Sequence, residues 1–213
     1  MGEKVITKIN VDPDIDVVIV MIHGLYSSGV IYENMKKEFE RSVLKDYNIK
    51  IKVLKYGKLR ALLGRLPLIR SFIRKYVTAE LSNLTYMYPK AKTIIMAHSF
   101  GTWLTATSID KEFSRFRANL VIFMGSVVKR RFPWYKYKVD VWNFVGTHDM
   151  VVLASKLWGT GWSGKKGFIV KDRKDTRVKQ IWTQWKHNDY HKGTNRFIGI
   201  IDNYLTKEGL KKE

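Results

Sequence analysis

"TIIMAHSFGTW", residues 93–103, puts four apolar residues, Ile94 to Ala97, ahead of a serine and a glycine, and "TWLTATS" with helical period behind them. The apolar run is short and rich in isoleucine, which predicts a strand buried on both faces. The stretch after it predicts a helix from Phe100 to about Asp110. A serine held in so sharp a strand-to-helix bend needs small residues two before and two after it, because the two backbones come too close for larger side chains. Ala97 and Gly101 meet that need. A small residue, then Ser, then Gly at this spacing arises by chance in a chain of about 200 residues with a probability of roughly 0.1–0.2. The spacing alone therefore decides little, and the strand before it and the helix after it are what give it meaning.

The same alternation extends outward. Valine- and isoleucine-rich runs recur as "VVIVMIH" (17–23), "IKIKVLKYG" (49–57), "NLVIFMG" (119–125), "VDVWNFVG" (139–146) and "VKQIWTQW" (178–185). Helical stretches lie between and after them, from about Ile31 to Lys45 and from about Thr194 to Leu205. Strands and helices in alternation predict an α/β fold with a mostly parallel central sheet flanked by helices. The Asp-Pro-Asp turn at 12–14 predicts a hairpin between "VITKINV" (5–11) and the first long strand. Residues 59–85 carry Leu59, Leu62, Leu63, Leu66, Ile69, Phe72, Ile73 and Tyr76 at amphipathic spacing, with arginines between them and an interruption at Pro67. This reads as a core-facing helix with an arginine-rich outer face; the alternative is a helix lying on a membrane. There is no repeat, low-complexity segment or linker, so one domain is expected over residues 1–213.

A chain of 213 residues, 45% hydrophobic, buries a full core without disulfides or metal. It has no cysteine, which excludes a thiolate nucleophile and a thiolate metal site. Its formal charge is 39 minus 19, or +20, spread along the whole sequence, and this favours anionic partners: a phospholipid surface, an acidic substrate or nucleic acid. The stretch "MGEKVITKIN" lacks the apolar core of a signal peptide, and Ile6 stands where a myristoylation motif needs Ser or Thr. The apolar run Val17 to Ile22 is too short to span a bilayer. A cytoplasmic protein, in peripheral contact with a membrane at most, is the expectation.

Three further segments carry candidate chemistry. In "MIHGLYSSG" (21–29), Gly24 allows close approach to the serine. Two backbone N–H groups are needed to hold an oxyanion, one from the residue after the serine and one from a loop after an earlier strand. Phe100 and Leu25 are the candidates, with Tyr26 as a further donor and a substrate-rim candidate; an ordinary tight turn would also place His-Gly there. In "FVGTHDMVV", Asp149 follows a strand, where it would orient an imidazole or simply cap a helix. Asp140, at the start of that strand, falls at the opposite edge of the sheet. In "WKHNDYHKG", either His187 or His191 is placed to return to Ser99. All five histidines, His23, His98, His148, His187 and His191, fall in these segments and in the serine's own, a clustering not expected of solvated surface residues.

The order Ser99, Asp149, His187 with His-Gly near the N-terminus resembles the α/β-hydrolase family, over most of the chain from about Val17 to Leu205. The resemblance implies a single-domain α/β-hydrolase fold and a serine hydrolase that cleaves carboxylic esters through an acyl-enzyme, without cofactor or metal. "HNDY" is similar to the His-Ser-Asp-Tyr of some bacterial lipase-like members, which favours His187 as the base and leaves His191 as the alternative. Ala97 stands where members commonly have glycine, and Ser126 to Val139 is too short for the large cap domain many of them carry.

In that fold "KRRFPWYKYK" (129–138) borders the substrate entrance, which makes Trp134 and Tyr135 substrate-rim candidates. Such a stretch suits a lipid headgroup boundary or stacked bases; the plainer reading packs its aromatics on the domain. The expected substrate is a small-molecule or lipid ester, anionic or presented at a membrane. The competing expectation is a catalytically inactive protein of the same fold that binds anionic membrane, or less favourably nucleic acid, through its basic surface.

Two motifs are set aside. "GTGWSGKK" (159–166) has Lys166 where a phosphate-binding loop needs Ser or Thr, and reads as a glycine-rich surface loop. His187 and His191 have zinc-helix spacing, but Asn188 occupies the place of the essential glutamate, so no metal is expected.

Overall fold

Six runs of aliphatic residues form strands β1 (Val17–Ile22), β2 (Ile49–Leu54), β3 (Lys92–His98), β4 (Leu120–Met124), β5 (Asp140–Gly146) and β6 (Val178–Thr183). The structure is a computed structural model that describes residues 11–24, 30–56, 66–155, 159–170 and 177–210. The strands make one sheet in the order β2-β1-β3-β4-β5-β6, and every neighbouring pair is parallel. Parallel neighbours need crossovers, and these carry the helices onto both faces. The helices are α1 (Val30–Glu40), α2 (Pro67–Met87), α3 (Phe100–Glu112), α4 (Met150–Ser155), α5 (Ser163–Lys166) and α6 (Thr194–Lys207).

Because successive strand residues point to opposite faces, the sheet separates two cores. Val18, Val20, Ile22, Ile95, Ala97 and Phe123 pack with Ile73, Val77 and Leu81 of α2 and Leu104 of α3. Val17, Ile19, Met21, Ile94, Met96 and Met124 pack with Met35 and Phe39 of α1 and Phe197 and Ile201 of α6. Strands covered twice read as continuous apolar runs. The edge strands β2 and β6 alternate instead, and lysines such as Lys50 and Lys179 are exposed along them, a pattern that discourages pairing with another sheet.

Several boundaries differ from the expectations. At the expected interruption Pro67 starts α2, since its missing N–H falls in the first turn, where it would have no intrahelical partner; residues 57–65 of the expected pattern lie outside the described residues. The expected helix over 31–45 ends at Glu40, and Ser42 then caps a separate 3-10 turn, Val43–Asp46, by accepting the Leu44 N–H at 3.2 Å. The Asp-Pro-Asp turn forms, with Asp14 N–H donating to Asp12 Oδ1 at 3.2 Å, but the expected hairpin with β1 does not, because β2 and β3 occupy both edges of β1 from Val17 to Ile22; residues 5–10 lie outside the described residues.

The glycine-rich stretch is not a surface loop. Ser163 and Gly164 are buried, Asn143 Nδ2 donates to the Ser163 carbonyl at 3.0 Å, and Ser163 Oγ bonds Ser126 Oγ at 2.8 Å. A Cβ on Gly161 or Gly164 would collide with the backbone of Val128 or Ser126. These glycines therefore allow close packing beneath the loop that follows β4.

The segment from Ser126 to Val139 contains one 3-10 turn, Trp134–Lys136, and no inserted domain. Trp134 is not a rim residue: it is 4% exposed and packs against Phe123, Phe132 and Phe168. Tyr135 is exposed, but its carbonyl accepts from Arg177, just ahead of β6, while the Tyr137 hydroxyl donates to Asp110 near the far end of α3. A parallel sheet is the reason. The chain must return from the end of β4 to the start of β5, which carries residues 134–137 to the edge opposite Ser99, where large aromatic surface is best covered.

Candidate active site

Ser99 sits between β3 and α3 with φ 52° and ψ −123°, the only described residue other than glycine at positive φ. A strained conformation persists only where its surroundings over-determine it. Here Ser99 N–H donates to the Met124 carbonyl at 2.9 Å, and the Ser99 carbonyl accepts from Thr102 N–H at 3.0 Å and Thr102 Oγ1 at 2.6 Å. Gly101 lets α3 approach the end of β1: a Cβ there would fall 2.7 Å from the His23 carbonyl oxygen and closer still to that of Ile22. Ala97 is fully buried in the sheet and fits.

Asp149 follows β5 and is fully buried. Its Oδ1 accepts the Val152 N–H at 3.0 Å, capping α4. The same carboxylate accepts His187 Nδ1–H at 2.9 and 3.1 Å, so the capping and orienting roles coexist in one side chain. The proton on Nδ1 leaves Nε2 as an acceptor, and Nε2 lies 3.0 Å from Ser99 Oγ. His187 is thus the histidine brought to the serine. His191 is exposed on the neighbouring 3-10 turn, its carbonyl accepting from Thr194 Oγ1. Within "HNDY", Asp189 fastens the loop by accepting the Lys186 N–H at 2.8 Å, and the Tyr190 hydroxyl reaches Asp149 Oδ2 at 3.4 Å. Burial, followed by the charge of Asp149, raises the Tyr190 pKa and keeps it a donor.

On the other side of the serine, Gly24 is in contact with it: a Cβ there would lie 2.7 Å from Ser99 Cβ and 3.2 Å from Oγ. The turn is held from beneath, where His23 stacks on Tyr56 at 4.1 Å, His23 Nδ1–H donates to the Gly24 carbonyl at 2.8 Å and the Tyr56 hydroxyl donates to the His23 carbonyl. Leu25 and Tyr26 lie outside the described residues. Phe100 opens α3, so its N–H is among the four that a helix leaves without intrahelical partners.

Sequence reasoning missed four contributors. Gly125, at φ 57°, has so little room that a Cβ would lie 3.1 Å from Asp149 Oδ2 and 3.2 Å from His187 Nδ1, and a Cβ on Gly146 would lie 2.6 Å from the Tyr190 hydroxyl. A glycine closing each of two consecutive strands was the available signal. Tyr190 was visible only within "HNDY". His98 was visible only through its place beside the serine and among the clustered histidines: its Nε2–H donates to the His187 carbonyl at 2.9 Å, with the two rings 4.6 Å apart. Burial, and then the neighbouring His187, push the His98 pKa down to about 3, so its ring stays neutral.

The sequence matches no family model and no curated protein. Solved structures are similar in fold at low identity. Alpha/beta hydrolase domain-containing protein 10 from mouse aligns at a TM-score of 0.58 and 15% identity, over 89% of this chain and 90% of that one. Esterase 2 of Thermogutta terrifontis, phosphorylated by paraoxon, aligns at 0.58 and 12%, over 94% and 86%. Dienelactone hydrolase from Anabaena variabilis aligns at 0.58 and 12%, over 92% and 88%. The parallel six-stranded sheet, the helices on both its faces and these alignments along most of the chain establish that this protein has the α/β-hydrolase fold.

Proposed function

We propose that the protein is a serine hydrolase that cleaves carboxylic esters through an acyl-enzyme. The observation that carries this reading is the unbroken chain from Ser99 Oγ to His187 Nε2 (3.0 Å) and from His187 Nδ1 to the buried Asp149 (2.9 Å), built on a strained serine. Ser99 Oγ attacks the ester carbonyl while its proton passes to His187 Nε2. Asp149 keeps the proton of Nδ1 in place and stabilises the imidazolium that forms. The N–H groups of Phe100 and Leu25 hold the oxyanion. Collapse expels the alcohol, which takes the proton from Nε2. Water then attacks the acyl-serine with His187 as its base, releasing the acid and restoring Ser99. The neutral His98 ring favours this cycle, because a second cation beside His187 would oppose its protonation. The absence of a large insertion after β4 and the formal charge of +20 favour an ester that is itself anionic or is presented at an anionic surface.

The test is the intact mass of the protein after exposure to a fluorophosphonate, with Ser99→Ala and His187→Ala alongside. One adduct on Ser99, absent from both variants, is the expected result, together with a loss of about 10³-fold or more in ester turnover. A folded wild type that gains no adduct would sink the proposal and leave an inactive protein of this fold that uses its charge for binding.

A further inference from the structure

Leu68 is 85% exposed, Phe72, one turn further along α2, is 54% exposed, and Leu66 ahead of them is exposed as well. The same helix buries Ile73, Val77, Leu81 and Leu84, so core packing accounts for its inner face and not for these three. Their place in the fold is specific. The Arg70 guanidinium lies 5.0 Å over the Trp103 ring, Trp103 stacks on Phe100, and Phe100 follows Ser99. The start of α2 therefore borders the edge of the sheet that carries the serine. Across that edge α4 adds Met150, 63% exposed, and Val151, directly after Asp149.

The charge of this edge is one-sided. From Pro67 to Ala79, α2 carries Arg70, Arg74 and Lys75 and no acidic residue. Arg74 of these is paired with Glu112. Lys75 is exposed in the turn after Phe72. Exposed Lys186 precedes His187, and Lys165 reaches the Thr147 carbonyl after β5. Of the acidic side chains described near this edge, Asp149 is buried on His187, Asp189 is paired with Lys192 and Glu33 with Lys55.

Apolar side chains projecting from a helix whose flanks are basic and lack acids match a bilayer surface, with hydrocarbon below the headgroups and negative charge at them. A duplex would use the charge and leave Leu68 and Phe72 unexplained. We propose that Leu66, Leu68 and Phe72 form a face that docks the protein on an anionic phospholipid surface, with the Ser99 edge turned toward the lipid. The docking itself does not need the serine; its consequence, that the ester is drawn from the bilayer, rests on the hydrolase reading above.

The experiment measures partition of the full chain onto vesicles of phosphatidylglycerol with phosphatidylcholine and onto phosphatidylcholine alone, at low and at physiological salt. Wild type is expected to bind the anionic vesicles at least about tenfold more tightly. Leu68→Glu with Phe72→Glu should lower that binding at least about tenfold. Lys45→Gln with Lys207→Gln, which changes the charge by the same two units elsewhere on the surface, should lower it less than about threefold. Fluorophosphonate labelling of the Leu68/Phe72 variant at the wild-type rate establishes that it is folded. Equal binding to both vesicle types, or a Leu68/Phe72 variant that binds like wild type, overturns the proposal. So does a light-scattering mass of a dimer that this variant dissociates, without vesicle binding, or salt-sensitive binding to duplex DNA in place of vesicles. Vesicle binding retained by a protein that takes up no fluorophosphonate would instead overturn the hydrolase reading and leave the docking face standing.

Discussion

Asp149 performs two tasks with one carboxylate, and substitution separates them. Asparagine is as good a helix cap as aspartate, so Asp149→Asn should keep α4 and most of the stability while ester turnover falls by up to about 10⁴-fold through the wrong imidazole tautomer. Asp149→Ala should lose the cap as well, at an added cost of about 1 kcal/mol. Denaturant titration beside steady-state kinetics distinguishes the two, and equal stability of both variants would remove the capping role. His98 sets a pH dependence. Its pKa is about 3 in the folded protein against 6.5 for a free imidazole, so between these values the unfolded chain binds more protons and stability rises with pH. The contribution is complete above about 6.5 and fades on acidification toward 3; His23, lowered by burial, acts in the same sense. Melting temperatures measured from pH 4 to 7 should therefore climb, and His98→Gln, which keeps a donor for the His187 carbonyl, should flatten the climb.

At the scale of elements, α2 and α3 are clamped on one face of the sheet by Arg74, which is buried and 2.5 Å from Glu112, and by Thr78 Oγ1 on Ser108 Oγ at 2.8 Å. Glu112→Gln would leave a buried guanidinium without its charge partner. A fully buried broken pair costs 3–5 kcal/mol; with Glu112 partly exposed, about 2 kcal/mol is expected in chemical denaturation, and no change would show the pair to be incidental. The existence of these elements was legible because a strand covered on both faces has no polar position and a helix covered on one has a stripe. Their boundaries were less so. Pro67 reads as an interruption in a longer pattern and is a helix start, and the glycines at 159–167 read as a surface loop although Gly161 and Gly164 are close-packing positions.

For the whole molecule, a formal charge of +20 on 213 residues strains the compact state by self-repulsion. Raising ionic strength from 0.01 to 0.15 M shortens the screening length from about 30 to about 8 Å. If the relief is about 1 kcal/mol, the melting temperature should rise by about 2–4 °C. A melting temperature that fell with salt would mean that the ion pairs outweigh the repulsion. No helix among the described residues is long and apolar enough to cross a membrane.

By itself the sequence determined the layered parallel architecture, because buried strands and amphipathic helices write their periods into local composition. It also determined which serine, acid and pair of histidines were worth weighing, because a strand end followed by a small residue and a functional group is a local pattern. Only the tertiary structure showed that His187 rather than His191 lies against Ser99: the two are four residues apart, but His187 precedes the 3-10 turn Asp189–Gly193 and His191 lies within it, exposed. It alone put Trp134 in the core, since the return path of a parallel crossover is set by the sheet and not by the residues that travel it. It also brought Gly125, His98 and Tyr190 to the same few ångströms. Contacts between residues 41 to 89 apart in the chain depend on the register of the strands that lie between them in the sheet, and no local pattern records that.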